Sequence, residues 1–205
     1  MFEKITKFLF PNVCIFCKAK NTSLCGKCFF AIPKFPVYKN NIYSYYRFHD
    51  KKVAELVKDL KYYHNGEVAK KFGKVLAGEI SKIVPENSNI FLIPIPLNNR
   101  DLRLHNHAEL ICKSIQIDLP NSKILNLLNK NSKKQQNKTS SKKERLENIK
   151  NAFTISAKGC NFVAPPDSVF IIIDDVTTTG ATINEARKLL EKFVNQKVLA
   201  YTVAY

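Results

Sequence analysis

The fold class follows from the stretch Val169-Phe170-Ile171-Ile172-Ile173-Asp174-Asp175-Val176-Thr177-Thr178-Thr179-Gly180-Ala181-Thr182. Its unbroken run of five large apolar residues is typical of a strand buried on both faces, as in parallel sheets covered by helices. The acidic, threonine-rich segment that follows leads directly into an amphipathic segment. The stretch therefore predicts a strand, a turn and a helix in that order.

Outside this stretch, apolar periodicity predicts that strands and helices alternate along the chain. The predicted strands cover residues 41–49, 90–93, 124–128, 168–173 and 197–203. The predicted helices cover residues 50–61, 67–84, 104–115 and 182–194, the first with Asp50 as its N-cap. This alternation predicts an α/β domain with a mostly parallel, doubly wound sheet, whose ligands bind at the carboxyl ends of the strands.

The residues at the end of the apolar strand have a chemistry suited to a phosphorylated sugar. Two adjacent carboxylates can accept hydrogen bonds from the vicinal hydroxyls of a ribose. The threonine- and glycine-rich turn offers hydroxyls and backbone N–H groups to a phosphate at the positive end of a helix. An ordinary strand-turn-helix with a capping threonine would explain Gly180 and Thr182, but not two acids beside three threonines.

Four of the six cysteines fall in two pairs, Cys14-x2-Cys17 and Cys25-x2-Cys28. This spacing predicts a closed, structural Zn²⁺ site, and two disulfides are the alternative. The N-terminus is interrupted by charges before a signal-peptide core can form, so we expect a cytosolic chain with reduced thiols. No apolar stretch reaches the roughly 18 residues of a membrane span. We divide the chain into a four-cysteine module, 1–36, and a main domain, 37–205.

The formal charge of +16 is unevenly distributed. Residues 1–85 carry 16 basic and 6 acidic groups, and residues 123–150 carry 9 and 2. Residues 151–205 carry 5 of each. Such a distribution fits a polyanion-binding surface, and a lysine-rich genome is the alternative explanation.

The nine residues 174–182 resemble the signature of type I phosphoribosyltransferases. Over nearly its whole length the chain is similar to the ComF (ComFC) competence-protein family, which joins a four-cysteine zinc module to such a domain. Besides the cysteines, the resemblance rests on three stretches: Asp59-Leu60-Lys61-Tyr62-Tyr63-His64-Asn65-Gly66, Ile93-Pro94-Ile95-Pro96-Leu97, and residues 144–153 with Arg145, Asn148, Ala152 and Phe153.

The resemblance implies two ligands, a structural Zn²⁺ and phosphoribosyl pyrophosphate (PRPP) with Mg²⁺. The residues that it assigns to PRPP are Asp174, Asp175, Thr177, Thr178, Thr179, Gly180, Ala181 and Thr182, with Arg100 or Arg103 near the pyrophosphate. One segment departs from the family pattern, because its Arg-Gly-Phe-Asn-Gln run is Arg103-Leu104-His105-Asn106-His107 here. The two histidines are two residues apart and cannot share a helix face, so we assign them no catalytic role.

The family resemblance also implies a role in natural transformation. The protein would bind incoming single-stranded DNA in the cytosol or at the inner face of the cytoplasmic membrane, beside a competence helicase or DNA channel and without stable membrane insertion. The candidate DNA-binding residues are Lys133, Lys134, Lys138, Lys142, Lys143 and Arg145, and the candidate base-stacking residues are Tyr43, Tyr45, Tyr46, Tyr62 and Tyr63.

The alternative function is a phosphoribosyltransferase of nucleotide salvage, which transfers phosphoribose from PRPP to a nucleobase. Since the sequence ends at Tyr205, directly after the last predicted strand, we expect no segment that builds a nucleobase pocket. The polar tract 129–143 is open to two interpretations, a lid over PRPP or a clamp on a phosphodiester backbone.

Overall fold

The computed structural model describes residues 12–97, 105–131, 152–157 and 159–205. Within them the helices are α1 (Gly26–Phe30), α2 (Lys51–Tyr63), α3 (Gly66–Ile80), α4 (His107–Asp118) and α5 (Ala181–Val194). The strands are β1 (Val37–Lys39), β2 (Ile42–Tyr46), β3 (Asn89–Pro94), β4 (Ser122–Ile124), β5 (Leu128–Lys130), β6 (Phe153–Ile155), β7 (Ser168–Val176) and β8 (Val198–Ala204). Among the described residues, none of the helices has both the length and the apolar character of a membrane span.

Six strands form the central sheet, in the order β1-β2-β8-β7-β3-β4. Every neighbouring pair is parallel except β1 and β2. β7 lies inside the sheet, where Ile171 is opposite Leu92 of β3 on one side and Leu199 of β8 on the other. The predicted α/β fold with a mostly parallel sheet is confirmed.

Both faces of the sheet are covered, because alternate residues of β7 enter two separate cores. Ile171 and Ile173 pack with α2, α3 and α4 on one face. Phe170 and Ile172 pack on the other face with α5 and with the short antiparallel pair β5–β6. All four side chains are buried. The unbroken apolar run is therefore explained by burial on both sides of the strand.

The prediction of one strand over residues 124–128 is wrong. The structure has β4 and β5 there, and they belong to different sheets. The Leu125 N–H still donates to the Leu92 carbonyl at 3.0 Å, after which the chain leaves β3. Leu127 and Leu128 are buried in the core beneath α5, so they continue an apolar run without continuing the strand. The short strands β1 and β6 were not predicted.

The cysteine-rich segment packs directly on the main domain. Leu24, Phe29 and Ile32 belong to the same core as α2 and α3. The Phe29 ring lies 6.2 Å from the Tyr46 ring and 6.1 Å from the Phe72 ring, measured between centroids. The division of the chain after residue 36 stays a prediction about domains, and across that boundary the two parts share one apolar core.

Helices α3 and α4 approach each other closely at Gly73. A Cβ at this position would lie 2.4 Å from the Ser114 Cβ and 2.8 Å from its carbonyl carbon. Both distances are well inside van der Waals contact, and the second involves backbone that cannot rotate away. Gly73 is therefore required for the spacing of the two helices, one of which begins at His107.

We expect Gly73→Ala to lower the free energy of unfolding by about 2 kcal/mol or more, because the added methyl group must displace α4. Gly78→Ala is the matched control, since Gly78 is exposed on the same helix and its Cβ would meet nothing within 4 Å. It should stabilise the protein by about 0.5 to 1 kcal/mol. Urea unfolding measures both, and an equal loss in the two variants would contradict the close contact.

Candidate functional site

The acidic pair lies at the carboxyl end of β7, directly before the last residue of that strand, Val176. Asp175 is only 3% exposed, and Asp174 is partly exposed. The Asp174 Oδ1 atom accepts the Asp175 N–H at 2.9 Å, and the Asp175 Oδ1 atom accepts the Val176 N–H at 2.7 Å. These local bonds fix one oxygen of each carboxylate and leave the other for a different partner.

Two cationic or polar side chains from distant parts of the chain meet Asp175. The Lys61 ammonium lies 2.8 Å from its Oδ2 atom, and the His107 Nε2 atom lies 3.5 Å from the same oxygen. Burial favours the neutral form of Asp175, but the hydrogen bond to His107 and the charges of His107 and Lys61 outweigh it and lower the pKa of this carboxyl. For Asp174, desolvation and the neighbouring charge of Asp175 raise the pKa. Asp175 is therefore the ionised member of the pair.

The ends of two helices place these partners. Lys61 lies in the last turn of α2, whose N-cap is Asp50. Asn106 caps α4 by accepting the Ala108 N–H at 3.0 Å, while its side-chain amide donates to the Ile95 carbonyl, also at 3.0 Å. Asn106 thus ties the start of α4 to the end of β3, and His107, the first residue of α4, faces Asp175 as a result.

The turn after β7 leads from the acidic pair into α5. The Thr177 N–H donates to the Ala204 carbonyl at 3.0 Å, which holds the turn against β8. Gly180 has a φ of 76°, and a Cβ there would lie 2.9 Å from the Ile42 Cδ1 atom. Only glycine fits this position without strain. Because the first N–H groups of a helix have no acceptor within it, the turn can hold an anion.

The structure brings most of the predicted PRPP residues to one edge of the sheet. Asp174 and Asp175 end the strand, and residues 177–182 form the turn and the first residues of α5. The predictions for Arg100 and Arg103, and for the DNA-binding residues Lys133, Lys134, Lys138, Lys142, Lys143 and Arg145, lie outside the described residues.

Sequence reasoning missed the roles of Lys61 and His107. Lys61 belongs to the Leu-Lys-Tyr element of the family resemblance, so a signal was present, but nothing in the sequence pointed to Asp175 as its partner. The side chains of His105 and His107 point in different directions, as expected for residues two positions apart. His107 faces the acidic pair, whereas the His105 ring lies edge-to-face on the His64 ring with centroids 5.1 Å apart.

The same cluster could hold a divalent cation. Ligand atoms of His107, Asp174 and Asp175 lie within 4.8 Å of one another. Carboxylate oxygens suit Mg²⁺, whereas the imidazole nitrogen is a better ligand for transition metals. The His107 Nδ1 atom is buried and finds no hydrogen-bond partner among the described residues.

The four N-terminal cysteines form the second candidate metal site. Their Sγ atoms all lie within 4.8 Å of one another, and all four are free thiols. The Cys25 N–H points to the Cys14 Sγ atom at 3.4 Å, and the Cys28 N–H points to the Cys25 Sγ atom at the same distance. N–H donors to sulfur favour thiolates. The cluster could hold a metal ion and is compatible with zinc.

A single carboxylate fastens the loop between the two cysteine pairs to the main domain. The Glu67 Oε2 atom accepts the Thr22 hydroxyl at 2.9 Å, the Ser23 hydroxyl at 2.8 Å and the Leu24 N–H at 3.0 Å. It also accepts the Ser23 N–H. Burial opposes the charge of Glu67, but these donors outweigh burial and lower the pKa of its carboxyl.

A groove of about 440 Å³ lies at the opposite edge of the sheet. Its lining includes Val84, Pro85, Ile90, Leu119 and Pro120, around the amino ends of β3 and β4. Ligands of parallel sheets bind at the carboxyl ends of the strands. The groove therefore lies away from the acidic pair, and we assign it no role.

Fold and site together define the protein as an α/β protein with a mostly parallel sheet and a four-cysteine cluster packed against the same core. An acidic pair followed by a threonine-glycine turn lies at the carboxyl edge of the sheet. No protein-family model matches the chain.

Two curated relatives identify the family. The chain is 31% identical over 117 residues to Competence protein F of Haemophilus influenzae, and 32% identical over 165 residues to Competence protein ComFC of Bacillus subtilis. The matches cover 55% and 78% of this chain, and 49% and 62% of the respective relatives. The chain belongs to the ComF/ComFC family, and it spans about half to three fifths of the length of these relatives.

We expect Glu67→Gln to lower the free energy of unfolding at pH 7 by about 1 to 2 kcal/mol, because hydrogen bonds to a charged acceptor are stronger than those to a neutral one. A carboxyl with a lowered folded-state pKa contributes stability above its unfolded pKa, about 4.3, and loses it as the pH falls through the folded value. The difference between wild type and variant should therefore shrink below about pH 4.

Glu86→Gln is the control for this prediction, since Glu86 is exposed and undergoes the same chemical change. Urea unfolding gives the stabilities, and hydrogen exchange at the Ser23 and Leu24 amides reports the loop itself. Wild-type stability and protection in Glu67→Gln at pH 7 would contradict the role of this carboxylate.

Proposed function

We propose that this protein is a DNA-uptake factor of natural transformation that binds PRPP and single-stranded DNA. The observation that carries the proposal is the acidic pair, with its threonine-glycine turn, at the carboxyl edge of β7. Both curated relatives are named competence proteins, which supports a role in competence. Cellular placement in the cytosol, or at the inner face of the cytoplasmic membrane, is part of the proposal.

The proposed PRPP site uses the edge from β7 to α5. Asp174 and Asp175 accept the two ribose hydroxyls, and the turn from Thr177 to Thr182 receives the 5′-phosphate at the positive end of α5. Arg100 or Arg103 is assigned to the pyrophosphate by the family resemblance. Mg²⁺, bound mainly by oxygen atoms of the ligand, would neutralise part of the charge of the pyrophosphate.

Lys61 has a role in the proposed PRPP site as the cation paired with Asp175. In the structure its ammonium neutralises the buried Asp175 carboxylate. A ribose hydroxyl that donates to Asp175 would take over part of this role, and Lys61 would then be close to the negatively charged ligand. The ion pair thus supports a site that keeps its carboxylate ionised before the sugar arrives.

The four cysteines are proposed to hold a structural Zn²⁺. Four thiolates leave no open coordination position, so the ion would stabilise the fold and take no part in chemistry. The loop between the cysteine pairs is bound to Glu67 near the start of α3, close in sequence to Lys61. Zinc would therefore order the loop that Glu67 holds.

We expect the double variant Asp174→Asn, Asp175→Asn to bind PRPP more weakly by about 2 to 4 kcal/mol, because the ionised Asp175 becomes a neutral, weaker acceptor and both side chains gain an amide that competes with the ribose hydroxyls, while the phosphate turn remains. Asp167→Asn is the control, since Asp167 precedes β7 at the opposite edge and its φ of 53° is tolerated by asparagine. Calorimetry with Mg²⁺ measures both. Unchanged affinity in the double variant would refute the assignment.

The proposed DNA contact of the lysine-rich tract has its own test. Changing Lys133, Lys134, Lys138 and Lys142 to Ala should make the log-log salt dependence of single-strand affinity shallower by about 2 to 3 units, at roughly 0.7 per phosphate contact. A control with the same charge change replaces the exposed residues Lys123, Lys188, Lys192 and Lys197.

The same four-lysine variant separates the two proposed functions. If the tract is a DNA clamp, the variant keeps the wild-type affinity for PRPP, while the salt dependence of its DNA affinity becomes shallower. If the variant keeps the wild-type salt dependence of DNA affinity and loses PRPP affinity, the tract is a lid over PRPP. The alternative function, a salvage phosphoribosyltransferase, requires such a lid. Release of pyrophosphate from PRPP with individual nucleobases then tests that activity directly.

A further inference from the structure

The structure divides the five candidate stacking tyrosines into two groups. Tyr45 and Tyr46 are buried in the core, and the half-buried Tyr43 donates its hydroxyl to Glu79 at 2.9 Å. A stacking role for these three is excluded because their rings are already packed within the fold. Tyr62 and Tyr63 are 62% and 73% exposed. They are the last two residues of α2.

Tyr62 and Tyr63 lie near the acidic pair, because their neighbours in the sequence contact it or the segment beside it. The preceding residue, Lys61, reaches Asp175 with its ammonium. The following residue, His64, packs its ring on His105, two residues before His107. The end of α2 and the start of α4 therefore meet beside the carboxyl edge of β7, with the two tyrosines on the solvent side.

The two helices on either side of the tyrosines, α2 and α3, carry an excess of positive charge. They contain seven lysines and four acidic residues. Five of the lysines are exposed, namely Lys51, Lys52, Lys58, Lys70 and Lys74. The surface thus combines uncovered aromatic rings with cations that outnumber the acidic groups of the two helices.

We propose that Tyr62 and Tyr63 form a stacking platform for the bases of single-stranded nucleic acid, whose phosphates contact the lysines of α2 and α3. The inference rests on the proposed function and adds a location to it. Adjacent helical residues point about 100° apart, so each ring serves a different base. Stacking on tyrosine is tolerant of sequence, and duplex bases are not accessible to it.

The platform is tested with two oligonucleotides of equal length, a thymidine strand and a strand of abasic sites with the same phosphates. Tyr62→Ala and Tyr63→Ala should each weaken binding to the thymidine strand by about fivefold or more. Wild type should bind the abasic strand more weakly than the thymidine strand, and the double alanine variant should bind the two strands alike. Fluorescence anisotropy gives the affinities.

Two controls isolate the effect of the rings. Tyr38→Ala removes another tyrosine, 66% exposed on the edge strand β1, and should leave both affinities at the wild-type value. Tyr62→Phe keeps the aromatic face and should retain tight binding. The slope of affinity against salt should be the same in all of these variants, because no phosphate contact is removed.

The outcomes separate this inference from the function on which it rests. If wild type binds neither strand, the proposal of single-strand binding is wrong, and the proposal of a stacking platform is wrong as well. If wild type binds the thymidine strand and the double alanine variant binds it equally well, the function stands and the platform is wrong. An equal loss on both strands would also overturn the platform, because it would place the tyrosines against the backbone.

Discussion

The buried charge of Asp175 is the constraint on which the arrangement of this protein depends. An ionised carboxylate that is removed from water costs several kcal/mol unless partners compensate it, so the fold must deliver a cation to the end of β7. Lys61 reaches Asp175 from the last turn of α2, and His107 reaches it from the first residue of α4. Gly73 in turn allows α3 to lie close to α4, the helix that begins with His107.

The segment from Lys61 to Glu67 joins the two candidate sites of the molecule. Lys61 neutralises the acidic pair, whereas Asn65 and Glu67 accept hydrogen bonds from the loop between the cysteine pairs. Leu24 and Phe29 of that part of the chain also enter the core beneath α2 and α3. A metal ion in the cysteine cluster would therefore order a loop that is hydrogen-bonded to the start of α3, a few residues after Lys61.

Features formed by contiguous residues could be predicted from the sequence, and contacts between distant residues could not. The strand Ser168–Val176, its acidic end and the glycine of the next turn could be predicted, because the apolar run and the turn residues are contiguous. The approach of Lys61 to Asp175 could not be predicted, since it depends on how separate helices pack. Residues 124–128 were assigned to one strand because Leu127 and Leu128 are as apolar as a strand requires, although they are buried beneath α5. Composition likewise could not separate the buried Tyr46 from the exposed Tyr63.

The acidic pair beside Lys61 is proposed as the ribose site of PRPP, and the other ligand assignments depend on it. A crystal structure of the complex with PRPP and Mg²⁺, recorded above the zinc absorption edge, tests it most directly. We predict ribose hydroxyls within hydrogen-bond distance of Asp174 and Asp175, the 5′-phosphate at the turn from Thr177 to Thr182, and one anomalous peak among the four thiolates. PRPP bound elsewhere, with the ion pair of Lys61 and Asp175 unchanged, would contradict the account.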